Sequence, residues 1–588
     1  MCGFVGVFGL DAKKFKKEVN NGTLIIKHRG PDAVGFYNDN FFSTGFNRLK
    51  IIDLSNEANQ PFEDDEFVLF FNGEIYNYLE LLEKFGFKAK TSSDTEILFN
   101  VLKKFKSNIE EGINLLNGMF AFVFYEKKTG KIILGRDRLG IKPLNYFIKE
   151  NNVFFASEIK AMKPFCGFFS INHKTVVNFL VNRTMDYNKE TFFDGIYQIK
   201  PGFFVEAEIS GAKIKIKETK YWDAAEIKAS GKILEIETID KFKKLFFDAV
   251  SLRFRADVPV SILLSGGLDS SAIASAAAIL NPTKEITVVS AVYEGDPMDE
   301  KKFAVKVVEK YKNLKPIWVE IKKDEFFESL KKTIYHEEMP LPDGSMVSHF
   351  ILMEKINKNK IKVVLTGQGG DEILGGYVHT FLPAYKADRI RSFKFHRNSL
   401  RGFFHALPYR VKNFLKILSI FKNDGKFFKD KKILFLVDKF YKHFSRKTIL
   451  NSYLINSLKY WSLPGFLHYE DRNSMAFSIE ARGPFLDYRL VEFMLSLPND
   501  FKIKDGVNKW ILRKSMKDVI PEEILKRNDK QGFYAPIEKW DKEIPLDFLD
   551  DKNFRKEFNY INLKEIQKSN KMKWRIYTLW LWYNIFKK

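Results

Sequence analysis

The hydrophobic rhythm of the chain changes once, and that change restricts the fold more than any other feature. Up to about Glu206, short apolar runs alternate with Gly, Asn and Asp turns, as in FVLFFNGEIYN, NVFFASE and MFAFVFYEKKTGKIILGRD. The last of these reads as a hairpin, two strands around Lys127-Lys128-Thr129-Gly130. Helical periodicity is rare in this half, DTEILFNVLKKF being the clear case. Residues 211–235 are rich in Lys, Glu, Ala and Gly and read as a linker. Beyond them strands alternate with helices: VPVSILLSGG, DSSAIASAAAIL, EITVVSAVY, EKKFAVKVVEKY, IKVVLTGQGG. Such alternation predicts βαβ units and a parallel sheet. From about Thr380 the pattern is mostly helical. A chain of 588 residues also exceeds what one core supports. The expected organisation is a strand-rich domain over 1–210, a linker over 211–235 and an α/β domain over 236–588.

Two cysteines, Cys2 and Cys166, give no disulfide framework and suit a reducing compartment. No apolar run approaches the ~18 residues of a membrane span, and the N-terminus lacks the pattern of a signal peptide. A cytoplasmic protein with no transmembrane segment is expected. The formal charge of +22 follows from lysine use along the whole chain, so no nucleic-acid partner is expected. The basic residues are densest in an insertion at about 386–450. That stretch reads either as a helical insertion with solvated lysines or as a surface for an anionic glycan, lipid or partner. The terminal WRIYTLWLWYNIF reads as a packed helix.

Two strand ends carry glycine-rich loops. PVSILLSGGLDSS, Pro259 to Ser271, is a buried strand, a turn of small residues and the start of an alanine-rich helix. Small residues let backbone N–H groups close on an anion, and the helix N-terminus adds positive potential. The lysine of a Walker loop is absent; Asp269 stands there instead, an oxygen ligand suited to Mg²⁺ beside phosphates. The loop resembles that of the ATP pyrophosphatases. VVLTGQGGDEILGGY, Val363 to Tyr377, is the second, with Asp371 as a further carboxylate. Loops at the carboxyl ends of parallel strands form the ligand crevice of open α/β sheets.

At the other end the chain begins MCGFVGVFG, a cysteine leading into a buried strand. With the methionine removed, Cys2 would carry a thiol nucleophile and a free α-amine whose ordinary pKa, about 7.7–8.0, suits a base near neutrality. Acyl transfer also needs an oxyanion hole, for which Asn72 and the Gly73 N–H in NGEIYN are candidates.

HRGPDAVGFY (28–37), NRLKIID (47–53), NGEIYN (72–77), SSDTEIL (92–98) and GRDRLGIKPL (135–144) resemble the N-terminal nucleophile glutamine amidotransferases. LLSGGLDSS, GGDE, EDRNSMAFSIEARGPFLDYRLVEF (470–493) and NKWILRKSM (508–516) extend the likeness, and the whole chain resembles glutamine-hydrolysing asparagine synthetases. The resemblance implies an α+β N-terminal nucleophile hydrolase sandwich (αββα), then an α/β parallel-sheet ATP-pyrophosphatase domain with a helical C-terminal part. It implies catalysis by Cys2, Asn72, Gly73 and Lys509. It implies glutamine binding by Arg48, Leu49, Lys50, Ile51, Ile52, Asn72, Gly73, Glu74 and Asp94, with Arg48 on the α-carboxylate and Glu74 and Asp94 on the ammonium. ATP would meet Leu264, Ser265, Gly266, Gly267, Leu268, Asp269, Ser270, Ala291, Thr366 and Gly367, and Mg²⁺ would sit on Asp269 and Asp371. The partners implied are L-glutamine, ATP and L-aspartate, with a shielded route for ammonia between domains; a homodimer is compatible with this organisation.

Two positions depart from the pattern. The second loop of these enzymes often carries an acid where this chain has Gln368, and Gly483 replaces a branched apolar residue. A glutamine can orient a nucleophile but cannot take its proton. Either another group does so or the acceptor differs from aspartate, for example a uronic acid of a surface polysaccharide. A non-catalytic nucleic-acid binder is the alternative of another class.

Overall fold

The computed structural model describes residues 2–231, 234–293, 295–296, 299–392, 425–430, 433, 436–437, 448–527, 544–566 and 569–587. Most of the basic insertion at about 386–450 lies outside the described residues.

Two six-stranded antiparallel sheets build the first domain. One runs, edge to edge, Tyr197–Gln198, Asn145–Lys149, Asn152–Ala156, Gly3–Gly9, Phe42–Arg48 and Ala33–Asn38. The other runs Lys213–Lys220, Phe203–Ser210, Lys131–Arg136, Gly118–Glu126, Phe67–Ile75 and Phe62–Glu63. The hairpin read at Lys127–Gly130 joins Gly118–Glu126 to Lys131–Arg136. Strand parity explains the layering, because successive side chains point to opposite faces. Phe4, Phe8, Val68 and Phe70 meet in the core between the sheets. Their neighbours Val5 and Val7 face the helix Lys16–Ile25 side, while Phe67, Leu69 and Phe71 pack with the helices Asp94–Lys104 and Ile109–Asn114. The result is the helix–sheet–sheet–helix sandwich expected, and the same parity puts Cys2 on the inter-sheet face.

The stretch read as a linker departs from that reading. Lys213–Lys220 is a strand paired along its whole length with Phe203–Ser210, and the helix Glu235–Arg253 begins within it too. KIKIKETK puts Ile214 and Ile216 on one face, Ile214 against the inter-sheet core, and lysines on the other, at an exposed sheet edge where charged residues guard against unwanted pairing. The alternation of Ile with Lys over 213–217 is a strand signal that the lysine content of the stretch obscures.

The second domain holds a five-stranded parallel sheet in the order Leu314–Glu320, Ile286–Val292, Val260–Leu263, Val363–Leu365, Glu480–Arg482. Helices cover both faces: Glu235–Arg253 and Leu268–Leu280 on one, Ser345–Lys358 on the other. Chain order reverses between Val260–Leu263 and Val363–Leu365, and ligands bind at such switch points. The two glycine-rich loops leave these two strands. The terminal helix Asn570–Phe586 packs onto the first domain, with Trp582 against Phe192 and Phe193, so one apolar core spans both halves. No described helix is long and apolar enough to cross a membrane.

Candidate functional site

Cys2 enters the core at the start of its strand and is buried. Its backbone N donates to Asn72 Oδ1 at 3.0 Å, and its carbonyl accepts from Arg29 Nε at 3.0 Å. The first bond identifies the oxygen end of the Asn72 amide. The other end, Nδ2, is a buried donor with no hydrogen bond to the protein, as an oxyanion donor should be. Asn72 and Gly73 lie on the strand facing Cys2 across the core. Gly73 has φ +149°, and a Cβ there would stand 2.0 Å from the Met119 carbonyl oxygen, so no other residue fits. Burial pushes the Cys2 thiol up, partly offset by the Leu49 backbone N–H and Arg48. The resting sulfur is a thiol that needs a base to become a nucleophile.

Around it lies an excess of acid. Glu74 Oε1 sits 3.1 Å from Arg482 Nη2, and Arg482 Nε donates 2.5 Å to Glu480 Oε1. Asp94 accepts from the Ile75 backbone N–H at 2.8 Å at the start of its helix, which Ser93 caps. Burial and the Glu480 charge hold the Glu74 carboxyl well above the usual carboxylate range, and burial pushes Asp94 up to about 6. Against burial, Arg482 draws Glu480 below its ordinary value. Three carboxyls thus gather near Arg482, and a buried site rich in acid suits a cationic ligand group. The ammonium of an amino acid has the charge to supply it.

Arg48 behaves otherwise than a free carboxylate clamp. Its Nη1 donates 2.8 Å to the Ser55 carbonyl and 2.8 Å to Asn59 Oδ1, while Nη2 reaches the carbonyls of Ile52 and Asp53. The guanidinium braces the loop carrying Leu49, Lys50, Ile51 and Ile52. Cys166 lies apart from this group, half-buried, with its Sγ donating to the Met162 carbonyl at 3.4 Å.

The second set of residues gathers at the switch point. Gly266 has φ +84°, and a Cβ would come within 2.9 Å of the Ala304 nitrogen and the Glu300 carbonyl. Ser265 and Ser270 hydroxyls are 3.0 Å apart, and the Gly267 N–H donates to Ser265 Oγ at 3.2 Å. Leu264 donates its N–H to the Val289 carbonyl at 2.9 Å, which fixes the loop beside the strand that ends near Ala291. Leu268 opens the helix whose first turn holds Asp269. Gly367 and Gly370 both press on Asp269, with a Cβ at 370 only 2.8 Å from its Cγ, so the two loops meet there. The Asp269 and Asp371 carboxylates converge on one cation, the buried Lys509 Nζ, at 2.5 and 2.7 Å. Lys509 adopts φ +52° immediately before the helix Trp510–Ser515. Among the described residues no group of three His, Cys, Asp or Glu side chains is set to hold a metal. A pair of carboxylates fits Mg²⁺ that takes its other oxygens from phosphates and water.

Buried charges join the two sites. Arg29 donates from Nη1 to Glu158 and Asp471, each at 2.8 Å, and from Nη2 to Asp471 at 3.1 Å. Asp471 belongs to the helix Leu463–Met475 of the second domain, so one guanidinium links the carbonyl of Cys2 to that helix. The strand Glu480–Arg482 has its charges beside Glu74, while the Arg482 carbonyl accepts the Thr366 N–H at 2.9 Å. Arg29, Asp471, Glu480 and Arg482 lie within sequence motifs that give them no role, since pairing across the domains has no local signal.

Comparison with known proteins fits this geometry. The asparagine synthase family model matches residues 241–569, and that of the glutamine amidotransferase domain matches 1–222. Glutamine-hydrolyzing asparagine synthetase 1 of Bacillus subtilis is 30% identical over 92% of this chain and 88% of its own. Glutamine-hydrolyzing asparagine synthetase 2 of the same organism is 28% identical, covering 94% and 75%. Amidase chry2 of Gibberella zeae is 27% identical, covering 90% and 86%. Cys2 meets the Asn72 amide in the matched amidotransferase region, and the two glycine-rich loops meet at Asp269 in the matched synthase region. The chain belongs to the asparagine synthase family.

Proposed function

We propose that this protein makes asparagine from aspartate, glutamine and ATP, releasing glutamate, AMP and pyrophosphate. The observation that carries the reading is the pairing of a buried, strand-bound cysteine facing an unpartnered amide donor with a phosphate-type loop pair in one chain. Glutamine lies with its ammonium among Glu74, Asp94 and Glu480 and its carboxylate against the loop braced by Arg48. The Cys2 α-amine, exposed once the methionine is removed, takes the thiol proton. The sulfur attacks the side-chain amide, Asn72 Nδ2 and the Gly73 N–H hold the oxyanion, and ammonia leaves a thioester that water hydrolyses.

ATP spans the loops from Leu264 to Ser270 and from Thr366 to Gly367, with Ala291 beside the nucleoside. Asp269 and Asp371 would hold Mg²⁺, which neutralises phosphate charge when bound. Lys509 stands between these carboxylates, placed to follow charge onto departing pyrophosphate. A carboxylate is a poor electrophile; joining it to AMP installs a leaving group that ammonia displaces. Purified protein given glutamine, ATP, Mg²⁺ and aspartate is expected to form asparagine and AMP in equal amounts. AMP formed only with another carboxylate, such as a uronic acid, would replace aspartate as acceptor and leave both half-reactions in place.

One pH effect follows from the acid cluster. Binding an ammonium requires ionised carboxylates, and the Asp94 carboxyl titrates near 6. The KM for glutamine is therefore expected to rise as pH falls below about 6, by up to roughly tenfold per unit. Asp94→Asn should raise KM near neutrality and flatten that limb. A KM independent of pH between 5 and 7 in the wild-type enzyme would reject the role.

A further inference from the structure

We infer that Glu470 is the base that takes the proton when ammonia displaces AMP from the activated carboxylate. The inference rests on the proposed reaction and names a group for a step that Gln368 cannot perform.

Gln368 follows Thr366 and Gly367 on the second phosphate-type loop. Its amide Nε2 donates to the Tyr469 hydroxyl at 3.0 Å, so the loop is tied to the helix Leu463–Met475. Three consecutive residues of that helix, about 100° apart around its axis, face three different things. Tyr469 meets Gln368, Asp471 meets Arg29 of the glutamine side, and Glu470 between them lies buried beside the Thr366 hydroxyl. Glu470 thus lies buried on the helix that meets both Arg29, which holds the Cys2 carbonyl, and the loop carrying Thr366 and Gln368.

The other carboxylates there are committed elsewhere. Asp269 and Asp371 hold Lys509, Glu372 accepts from Tyr377 and Ser462, and Arg29 keeps Asp471 ionised. Glu470 faces Thr366, Lys142 and Asp471; Lys142 Nζ lies 4.0 Å from Asp471 Oδ1, pairing first with that neighbour. Burial raises the Glu470 carboxyl to about 7, against the smaller opposing effects of Thr366 and Lys142. A base with proton affinity near working pH is the effective one.

The step balances without a co-reactant. The ammonia lone pair forms the new C–N bond, the bond from carbonyl carbon to the AMP oxygen breaks, and its electron pair leaves on AMP. The nitrogen arrives as NH₃ and remains as NH₂; the proton lost goes to a Glu470 carboxylate oxygen and then to solvent.

The test uses the full chain with ATP, Mg²⁺ and aspartate, at equal free NH₃ across pH. Glu470→Gln is expected to keep glutaminase and aspartate-dependent pyrophosphate exchange within about threefold. Its ammonia-dependent asparagine synthesis should fall by about 10²–10⁴ and lose the acid limb near pH 7. Placing an acid at the neighbouring position, Gln368→Glu in the Glu470→Gln background, should restore part of the rate. Synthesis by Glu470→Gln at the wild-type rate, with exchange intact, would overturn the assignment. So would loss of exchange and synthesis together in both Glu470→Gln and Glu470→Asp, which marks a packing role. Absence of exchange in the wild-type enzyme would instead overturn the parent reaction, and this step with it.

Discussion

Cys2→Ala is expected to abolish glutamine-dependent synthesis and glutaminase activity, by more than about 10⁴-fold, while ammonia-dependent synthesis stays within about twofold of wild type. The first half follows from chemistry, since alanine offers no nucleophile and the oxyanion donors alone do not cleave an amide at a useful rate. The second half follows from how Cys2 is connected. Its links toward the synthetase side run through main-chain atoms: the N–H to Asn72 and the carbonyl to Arg29. Alanine keeps both, so Arg29 keeps its hold on Glu158 and Asp471. The nucleotide loops should not sense the loss of a sulfur. Steady-state rates with glutamine and with ammonium chloride, measured side by side, decide the matter. Loss of both activities in a folded variant, or retained glutaminase, would rule out a cysteine-dependent site separate from the synthetase.

What the sequence disclosed and what it concealed divide along a physical line. Cys2, Asn72, Gly73 and the Ser265–Ser270 loop were readable because each draws its geometry from a few consecutive residues: a strand, a strained glycine, a strand-to-helix turn. The layered sandwich was readable only through family resemblance, although the parity of Phe67 to Phe71 would have placed both faces. Arg29 with Asp471, 442 residues away, and Arg482 with Glu74 were unreadable, because a buried ion pair between domains leaves no periodic trace. Glu470 was concealed for the same reason. In a helix its carboxylate could face water or core, and only the packing of Leu463–Met475 against the Thr366 loop decides. Arg48 shows the converse: the residue type suggested a clamp for a ligand, but its donors brace main-chain carbonyls first.

The largest effect expected on the synthetase side comes from Lys509→Met. Lys509 Nζ is buried between Asp269 and Asp371, and although burial works against its charge, the two carboxylates prevail and hold its proton affinity well above the ordinary lysine value. A lysine raised in the folded state is fully stabilising below its unfolded pKa and loses that contribution only as pH climbs through the folded value. Wild-type stability should therefore be insensitive to Lys509 between pH 6 and 9. Methionine keeps the length but removes the buried cation that both carboxylates meet, a change that costs about 3–5 kcal/mol when the site is dry. Their proton affinities then rise by mutual repulsion. The variant should regain stability as pH is lowered from 8 to 5, and Mg²⁺ should raise its melting temperature more than it raises that of wild type. Aspartate-dependent pyrophosphate exchange should fall by about 10²–10³, the usual consequence of removing one charge that tracks the transition state, with glutaminase unchanged. Thermal melts across pH, with and without Mg²⁺, separate the two contributions. Unaltered exchange alongside a lowered melting temperature would reduce Lys509 to a counter-ion, and unaltered exchange with an unaltered melt would remove it from the site altogether.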